Sequence, residues 1–291
     1  AITGSCGKTS LKDMLNKLLL KYDKTYASPK SFNNHYGVPI SLSNLDVDHK
    51  FGVFEVGMSK AGEIDKLSKL IKPNLAIITN IAEAHIENFK NIKGIAKAKS
   101  EILDNIHKNG TVILNRDDKF FNYISKKALK KNLKVVSFGW SNKSNVSLIK
   151  INRYKKEKQI FIRVNDKILK LKVKNVNVYN ILASLAVLNE LNLDHQKCVN
   201  ELKNFNPPEG RGEIHKIRRY KKFFWLLDES YNANPFSVKN AIRRFSEFKK
   251  NKCKKYLILG DMLELGNRSK NYHEDLSGLI NSSDIDKVFI K

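Results

Sequence analysis

The sequence lacks the features of disulfide-stabilised, zinc-ribbon and membrane-spanning proteins. Only three cysteines occur among 291 residues, Cys6, Cys198 and Cys253, and no two of them form a C-x-x-C pair. This spacing argues against a zinc ribbon or a disulfide framework and fits a reducing, cytoplasmic setting. The longest apolar run, residues 223–227, is far shorter than the ~18–20 residues of a membrane helix. Any signal peptide would lie upstream of Ala1, which stands where an initiating Met is expected.

Arginine is scarce, although the chain as a whole is strongly basic. Lys and Arg number 54 against 29 Asp and Glu, which gives a formal net charge of +25, and only nine of the 54 are Arg. Such a charge is typical of proteins that bind nucleic acid or anionic membranes. The lysines, however, are spread along the whole chain among many Asn and Ile, residues that share A/T-rich codons. We therefore favour a generally solvated Lys surface, with a polyanion-binding surface as the alternative.

Short apolar runs alternate with amphipathic segments in the first two thirds of the chain. Residues 11–19 carry apolar side chains at helical spacing, and residues 75–81 have the composition of a buried strand. The repeated strand–helix–strand order predicts an α/β fold with a mostly parallel sheet. From residue 146 to 173, three short strands separated by polar turns at 155–158 and 165–166 predict a small antiparallel section.

A candidate linker divides the chain into two domains. Two adjacent prolines in the run Asn206-Pro207-Pro208-Glu209-Gly210 prevent a helix there. Residues 1–206 form the first predicted domain. After the linker the α/β order resumes and continues to a final strand at 287–290, so residues 207–291 are predicted to form a partial, Rossmann-like α/β domain.

The run Gly4-Ser5-Cys6-Gly7-Lys8-Thr9 lies between a strand end and an amphipathic helix, as a phosphate-binding loop does. Backbone N–H groups of such a loop and the helix N-terminus bind phosphate oxygens. Lys8 would reach the terminal phosphates and Thr9 would hold Mg²⁺. The usual eight-residue spacing fails, because Ile2 occupies the position of the first Gly. The alternative is a Gly-rich turn with a chance Lys-Thr pair, and in either case Cys6 is interpreted as a small residue, not a nucleophile.

Several other polar residues follow predicted strands. Glu55 ends an apolar strand, where a phosphate-loop enzyme places a metal-directed carboxylate, although a salt bridge at a sheet edge is the alternative. His85 follows the strand at 75–81, and either a second metal ion or a structural role is open. Lys97 and Lys99 lie in a Lys-rich helix, and the pattern alone places both on a solvated face.

Two polar loops and one arginine belong to the second domain. The run Asp228-Glu229-Ser230-Tyr231-Asn232-Ala233-Asn234-Pro235 follows an apolar strand and precedes a helix, so it either faces a ligand or caps that helix. Arg211, just after the linker, is suited to clamping a phosphate. A second acidic loop covers residues 260–266.

These motifs, in this order, resemble those of the Mur ligases, ATP-dependent amide-forming enzymes of peptidoglycan synthesis. The resemblance covers nearly the whole chain, and a short phosphate loop is typical of that family. It is carried by the following segments: Thr3-Gly4-Ser5-Cys6-Gly7-Lys8-Thr9, Asn33-Asn34-His35-Tyr36-Gly37-Val38-Pro39, Glu55-Val56-Gly57-Met58, Gly62-Glu63-Ile64, Asn80-Ile81-Ala82-Glu83-Ala84-His85, Ala96-Lys97-Ala98-Lys99-Ser100-Glu101-Ile102, Asp228 to Pro235, and Gly260-Asp261-Met262-Leu263-Glu264-Leu265-Gly266.

The last two segments are most similar to the ligases that join D-alanyl-D-alanine to UDP-N-acetylmuramoyl-tripeptide. The resemblance implies a bacterial, cytoplasmic enzyme that uses ATP and two Mg²⁺ ions and passes through an acyl phosphate. We expect a monomer that neither binds nucleic acid nor inserts into a membrane. The alternatives are a sibling ligase, such as a tripeptide-forming ligase or a folylpolyglutamate synthase, a phosphate-loop ATPase acting on nucleic acid, and a non-catalytic nucleotide-binding module.

The resemblance also implies roles for particular residues. Lys8, Glu55, His85, Lys99 and Arg211 would be catalytic. The metal ions would be held by Thr9, Glu55, His85 and Lys99, and Lys99 matches a lysine that some members carbamylate. Asn33 and Asn34 would face the muramoyl peptide. ATP would be bound by a larger set: Thr3, Gly4, Ser5, Cys6, Gly7, Lys8, Thr9, Asn177, Asn180, Arg211, Asp228, Glu229 and Asn232.

The chain departs from the family pattern in a few places. Val176 stands where a His usually precedes the first adenine-binding Asn, and Glu229 is one methylene longer than the usual Asp. We expect both changes to be tolerated. The N-terminal domain that binds the UDP-sugar is not in this sequence and the second domain is short, so we expect the 291-residue chain alone to be inactive.

Overall fold

A computed structural model describes residues 1–153, 157–174, 176–248 and 253–291. They divide into two compact units, one formed by residues 1–81 and 93–206 and the other by residues 82–92 and 207–291. The division after residue 206 coincides with the predicted linker. Residues 82–92 group with the second unit, although the sequence pattern placed them in the first domain. Lys155 and Lys156, which belong to a predicted turn, lie outside the described residues.

The first unit alternates strands and helices over most of its length, which confirms the predicted α/β fold. Its strands are β1 (Ile2–Thr3), β2 (Thr25–Ala27), β3 (Phe51–Val53), β4 (Leu75–Ile78), β5 (Thr111–Asn115), β6 (Lys134–Gly139), β7 (Val146–Arg153), β8 (Lys158–Val164) and β9 (Lys167–Val173). Its helices are α1 (Lys8–Leu19), α2 (Gly37–Ser43), α3 (Glu63–Ile71), α4 (Ile92–Lys99), α5 (Phe121–Leu129), α6 (Val178–Glu190) and α7 (Val199–Lys203).

The main sheet of the first unit has the strand order β1-β4-β5-β6-β7-β8-β9. Pairing is parallel from β1 to β7 and antiparallel between β7, β8 and β9, which confirms the predicted mixture. Along β5, the consecutive residues 111–114 are all buried. Because successive side chains of a strand point to opposite faces, this burial shows that both faces of the sheet are covered there.

Strand β1 is flanked on both edges, which positions the phosphate loop that follows it. On one edge it pairs with β4 in parallel. On the other edge, Ile2 N donates to Phe54 O and Val56 N donates to Ile2 O, each at 2.8 Å, so the segment after β3 also pairs with β1 in parallel. The carboxyl ends of parallel strands meet at one edge of a sheet, and this edge is the usual ligand-binding position in α/β folds.

Helices α1 and α6 contribute most of the helical part of the first unit's core. The predicted stripe of α1 is buried and consists of Leu11, Met14, Leu15, Leu18 and Leu19. Helix α6 is buried along nearly its whole length, at residues 180–188, which is typical of a helix enclosed by other elements. The two helices therefore fix the loops at their N-termini relative to the sheet.

The second unit has its own small core. Its strands are β10 (Glu213–Arg219), β11 (Lys222–Asp228), β12 (Tyr256–Leu259) and β13 (Lys287–Ile290), and its helices are α8 (Pro235–Ser246), α9 (Ser269–Glu274) and α10 (Leu276–Asn281). Strands β10 and β11 form an antiparallel hairpin, whereas β12 and β13 are parallel. The helix predicted at 272–280 is in fact two helices that meet at Asp275. Ile242, Met262, Leu265 and Leu276 form the buried centre.

Candidate active site

The phosphate loop is held by the end of the neighbouring strand β4. Thr79 Oγ1 donates to Cys6 O at 2.7 Å, and the Asn80 side chain both accepts from Cys6 N at 3.0 Å and donates to Cys6 O at 3.1 Å. Gly4 has φ +147°, and a Cβ placed there would lie 1.9 Å from Thr79 Oγ1. The close approach explains why glycine is needed at this position.

The loop leads directly into helix α1, as the sequence pattern predicts. Gly7, with φ +82°, is the N-cap residue and contributes no side-chain cap. The backbone N–H groups of the first turn and the helix dipole can therefore act on an anion. Lys8 Nζ donates to Gly4 O at 2.9 Å, so its charge lies folded over the loop.

Thr9 and Glu55 meet beneath this loop. Thr9 Oγ1 donates to Glu55 Oε2 at 2.7 Å, and Asn33 Nδ2 donates to Glu55 Oε1 at 2.7 Å. The Thr9 and Glu55 residues are only 4% and 1% exposed. The pairing of a hydroxyl with a carboxylate beside a phosphate loop provides the hard oxygen ligands that Mg²⁺ prefers. These two residues therefore fit a magnesium ion.

Lys99 is buried, contrary to the solvated face that the helical pattern predicted for it. It is 2% exposed, whereas Lys97 two positions earlier in α4 is exposed. Burial lowers the pKa of the Lys99 ammonium well below its ordinary value, and the nearby charge of Lys8 lowers it further. The fold thus disfavours the charged form of this side chain, which lies close to Lys8 of the phosphate loop.

The two asparagines expected to face the muramoyl peptide make internal contacts. Asn33 orients Glu55, as described above, and its backbone oxygen accepts from Gly57 N at 2.8 Å. Asn34 Oδ1 accepts from the backbone N–H groups of Tyr36 and Gly37 and so starts helix α2. Their expected roles toward a substrate stay predictions.

The Asn-x-x-Asn pair lies at the start of helix α6. Asn177 is the N-cap, and its side chain accepts from Tyr179 N at 3.0 Å. Asn180 is buried, and its Nδ2 lies 3.4 Å from Gly7 O in the phosphate loop. The structure therefore brings Asn180, but not the side chain of Asn177, into contact with the loop. Val176, at the family's usual His position, is buried.

The polar run of the second unit caps the helix that follows it, and its ligand-facing role stays a prediction. Asn234 caps helix α8 through a capping box with Ser237, as the capping hypothesis predicts. Asp228 Oδ1 accepts from Ser230 N at 3.0 Å, and hydrogen bonds from Ser230 lower the pKa of the Asp228 carboxyl. Glu229 pairs with Arg244 at 2.7 Å, while burial raises the pKa of its carboxyl.

Arg211, Asn232 and His85 complete the predicted residues of the second unit. The Arg211 guanidinium lies 3.9 Å from the centre of the Tyr231 ring, and Asn232 is exposed. His85, with φ +58°, contacts the carboxylate of Glu264 in the acidic loop through its Nδ1 atom. In the part of the chain that the structure describes, no three His, Cys, Asp or Glu residues form a metal-binding group. A metal role for His85 stays a prediction.

Sequence reasoning missed several residues that contact the predicted ones within each unit. Thr79 and Asn80 clamp the phosphate loop, and Arg244 pairs with Glu229. Lys12 is a buried lysine on α1. Lys12 could not be distinguished in a chain with so many lysines, because burial depends on which helix face meets the core. Asn80 could have been predicted as a site residue from its position directly after a strand.

Comparisons with known proteins match nearly the whole chain. Residues 2–188 match the Mur ligase middle domain and residues 210–290 match the Mur ligase, glutamate ligase domain. All of the chain aligns at 34% identity with 64% of the UDP-N-acetylmuramoyl-tripeptide--D-alanyl-D-alanine ligase of Rickettsia prowazekii. A crystal structure of MurF from Acinetobacter baumannii aligns with 99% of the chain at 29% identity, with a TM-score of 0.90 over 62% of that protein.

A MurF ligase from Thermotoga maritima, whose structure contains ADP, aligns with 99% of the chain at 28% identity and a TM-score of 0.86. The chain covers 65% of that protein. It thus spans less than two thirds of each of these relatives. Among the described residues, no helix combines the length and apolar character that crossing a membrane requires.

Proposed function

The chain belongs to the Mur ligase family, and on this premise we propose that it is part of an enzyme that joins D-alanyl-D-alanine to UDP-N-acetylmuramoyl-tripeptide at the expense of ATP. The observation that carries the proposal is the buried Thr9–Glu55 pair directly beneath a phosphate loop. Similarity along the whole chain to ligases named for this reaction gives the substrate class.

We propose that ATP is the phosphoryl donor and that the loop holds its phosphates. Backbone N–H groups at the start of α1 would bind phosphate oxygens. Lys8 would exchange its hydrogen bond to Gly4 O for the terminal phosphates, where its charge offsets the charge that spreads over the transferred group. Asn180, which already reaches the loop, and Asn177 would hold the adenine side of the nucleotide.

Thr9 and Glu55 would hold a magnesium ion, which supplies charge neutralisation at the phosphate oxygens when bound. We propose that Lys99 and His85 serve the second metal site. The lowered pKa of Lys99 favours the neutral amine, which is the form that can take up CO₂ to become a carbamate. A carbamate would place an anion suited to a metal ion beside Lys8. The contact of His85 Nδ1 with the Glu264 carboxylate would keep the imidazole oriented.

The chemistry would proceed in two steps. The terminal carboxylate of the tripeptide would attack the γ-phosphorus of ATP, giving an acyl phosphate and ADP. The amine of D-alanyl-D-alanine would then attack the acyl carbon, and inorganic phosphate would leave as the amide forms. Arg211, Asp228, Glu229 and Asn232 would act on the γ-phosphate and ribose, and Asn34 would lie near the peptide. The protein's main contribution would be to align the reactants and to balance charge.

We propose a cytoplasmic enzyme, since ATP and a UDP-linked substrate are intracellular metabolites. We also propose that the enzyme is a monomer.

The test of the proposed reaction supplies the natural full-length protein with ATP, Mg²⁺, UDP-N-acetylmuramoyl-tripeptide and D-alanyl-D-alanine, and measures phosphate release. Release should require both the tripeptide and the dipeptide. Release that needs no dipeptide and rises with DNA or RNA would instead support a nucleic-acid-dependent ATPase.

A single substitution tests the loop. Lys8→Ala should abolish measurable turnover, because the transition state loses a cation that a water molecule cannot replace. The matched control is Lys17→Ala on the exposed side of the same helix, which should keep normal turnover. An unchanged kcat in Lys8→Ala would remove the loop from the mechanism.

A further inference from the structure

We propose that Lys12 is a positioning residue, which anchors the loop of residues 28–33 so that Glu55 presents its carboxylate to a magnesium ion. The inference rests on the proposed function, because it assigns Glu55 to the metal. It concerns a lysine that lies outside the phosphate-loop motif.

Lys12 is buried to an unusual degree for a lysine. The residue is 1% exposed, and lysines are almost never fully buried unless they are paired. Its ammonium donates to Ser28 O at 2.6 Å and to Lys30 O at 2.5 Å, and it lies 3.1 Å from the Asp13 carboxylate. Two backbone carbonyl groups thus accept from the ammonium, and a carboxylate pairs with its charge. The lysine is therefore paired inside the protein, and two of its partners belong to one loop.

The anchored loop contacts the candidate metal ligands at three points. Ser28 Oγ accepts from the backbone N–H of Glu55 at 3.2 Å. Ser31 Oγ lies 3.3 Å from Thr9 Oγ1. Asn33 Nδ2 donates to Glu55 Oε1 at 2.7 Å. Movement of this loop would thus change the surroundings of both Thr9 and Glu55.

The loop needs an anchor because its own backbone provides little stabilisation. Residues 28–36 connect β2 to α2 without helix or strand structure. Lys30 has φ +45°, a left-handed conformation that a non-glycine residue adopts at a cost. The charged hydrogen bonds from Lys12 offset this cost by drawing the carbonyl groups of residues 28 and 30 toward one point.

Helix α1 connects the two halves of this arrangement. Lys12 follows Thr9 by three positions and Lys8 by four, so the three side chains share one face of the helix. The same rigid element therefore presents Thr9 to Glu55 and Lys12 to the loop that carries Asn33. Without the ammonium, Asn33 is free to leave Glu55, and the carboxylate can rotate away from Thr9.

The experiment measures Mn²⁺ binding to the full chain by electron paramagnetic resonance in the presence of saturating ADP. Lys12→Met keeps the length of the side chain but removes the donors, and it should weaken Mn²⁺ binding by about tenfold or more, as is usual when a ligand's supporting hydrogen bonds are lost. The affinity for ADP without metal should stay unchanged. Lys12→Arg should restore part of the Mn²⁺ affinity, and Lys17→Met on the same helix should bind Mn²⁺ normally.

A second variant covers the case in which Lys12→Met does not fold. Asn33→Ala leaves Lys12 and its carbonyl partners in place but removes the hydrogen bond from the anchored loop to the Glu55 carboxylate, so it should weaken Mn²⁺ binding in the same way. Normal Mn²⁺ affinity in Asn33→Ala, or in folded Lys12→Met that has merely lost thermal stability, would overturn the proposal.

Hydrogen exchange separates this proposal from the proposed function. In ligand-free Lys12→Met, the amides of residues 28–34 should exchange faster than in the unaltered protein. Unchanged exchange would overturn the anchoring role of Lys12. Absence of any metal-dependent ADP binding in the unaltered protein would instead refute the proposed function, and the exchange result would still decide the role of Lys12.

Discussion

Gly4→Ala should disrupt the phosphate loop through one steric contact. Gly4 has φ +147°, and a Cβ there would lie 1.9 Å from Thr79 Oγ1 and 3.1 Å from Thr79 N. Thr79 cannot easily move, because its hydroxyl donates to Cys6 O and its residue is 5% exposed. The substitution therefore combines backbone strain with a collision against a fixed neighbour.

The expected cost follows from these two effects. The backbone conformation costs an alanine roughly 1–3 kcal/mol, and overpacking adds roughly 1–3 kcal/mol. The free energy of unfolding of the first unit should fall by about 2–6 kcal/mol, which lowers its midpoint temperature by on the order of 10 °C. Gly62→Ala is the matched control, since Gly62 has φ +85° but no atom within 4 Å of the added Cβ. It should cost only the backbone strain, about 1–2 kcal/mol.

Tryptophan fluorescence can follow the first unit alone. The chain has two tryptophans, Trp140 in the first unit and Trp225 in the second. In a Trp225→Phe background of the 291-residue chain, thermal unfolding monitored by Trp140 reports the first unit. The double variant Gly4→Ala/Thr79→Ala should regain part of the lost stability. Equal midpoints for Gly4→Ala and Gly62→Ala, or no recovery in the double variant, would refute the steric reasoning.

Two predictions concern the second unit. Ser230→Ala should raise the pKa of the Asp228 carboxyl toward its ordinary 3.8, measured by NMR titration. Because the folded pKa lies below the unfolded one, the stability from Asp228 is present above pH 3.8 and is lost as the pH falls through the folded pKa, so the variant should lose stability at neutral pH. Arg244→Met should lower the free energy of unfolding by about 1–2 kcal/mol, because it removes the ion pair with half-buried Glu229 and a hydrogen bond to Gly212 O. Adding Glu229→Gln should recover most of that loss, as measured by urea unfolding.

Local patterns were sufficient for most of the strands and helices. The helix with its apolar face at residues 11–19 and the hairpins from residue 146 are both present, because each depends on neighbours in the sequence. Element ends were less predictable. The helix expected at 272–280 breaks at Asp275, and the segment 82–92 groups with the second unit, since both outcomes depend on packing against distant residues.

The candidate site was predicted only in part. The position of Glu55 at a strand end was sufficient to expect it near Thr9, because parallel strands present their carboxyl ends at one edge. The pattern around Lys99 indicated a solvated lysine, but its side chain is buried. The prediction was wrong because a helical pattern does not show which lysine of a Lys-rich helix faces the core. The expected contact of Asn33 with a substrate stays a prediction, and the sequence did not indicate that its amide donates to Glu55.

The sequence by itself determined the α/β order, the phosphate loop and the family resemblance, because short-range spacing encodes these features. Only the tertiary structure decided which lysines of a Lys-rich chain carry specific contacts. Lys8, Lys12 and Lys99 are chemically alike in the sequence, and they differ in the fold because burial and partners differ. Lys8 donates to the phosphate loop, Lys12 donates to the carbonyl groups of residues 28 and 30, and Lys99 is buried away from water. Such differences arise from contacts between segments far apart in the chain, which no local pattern contains.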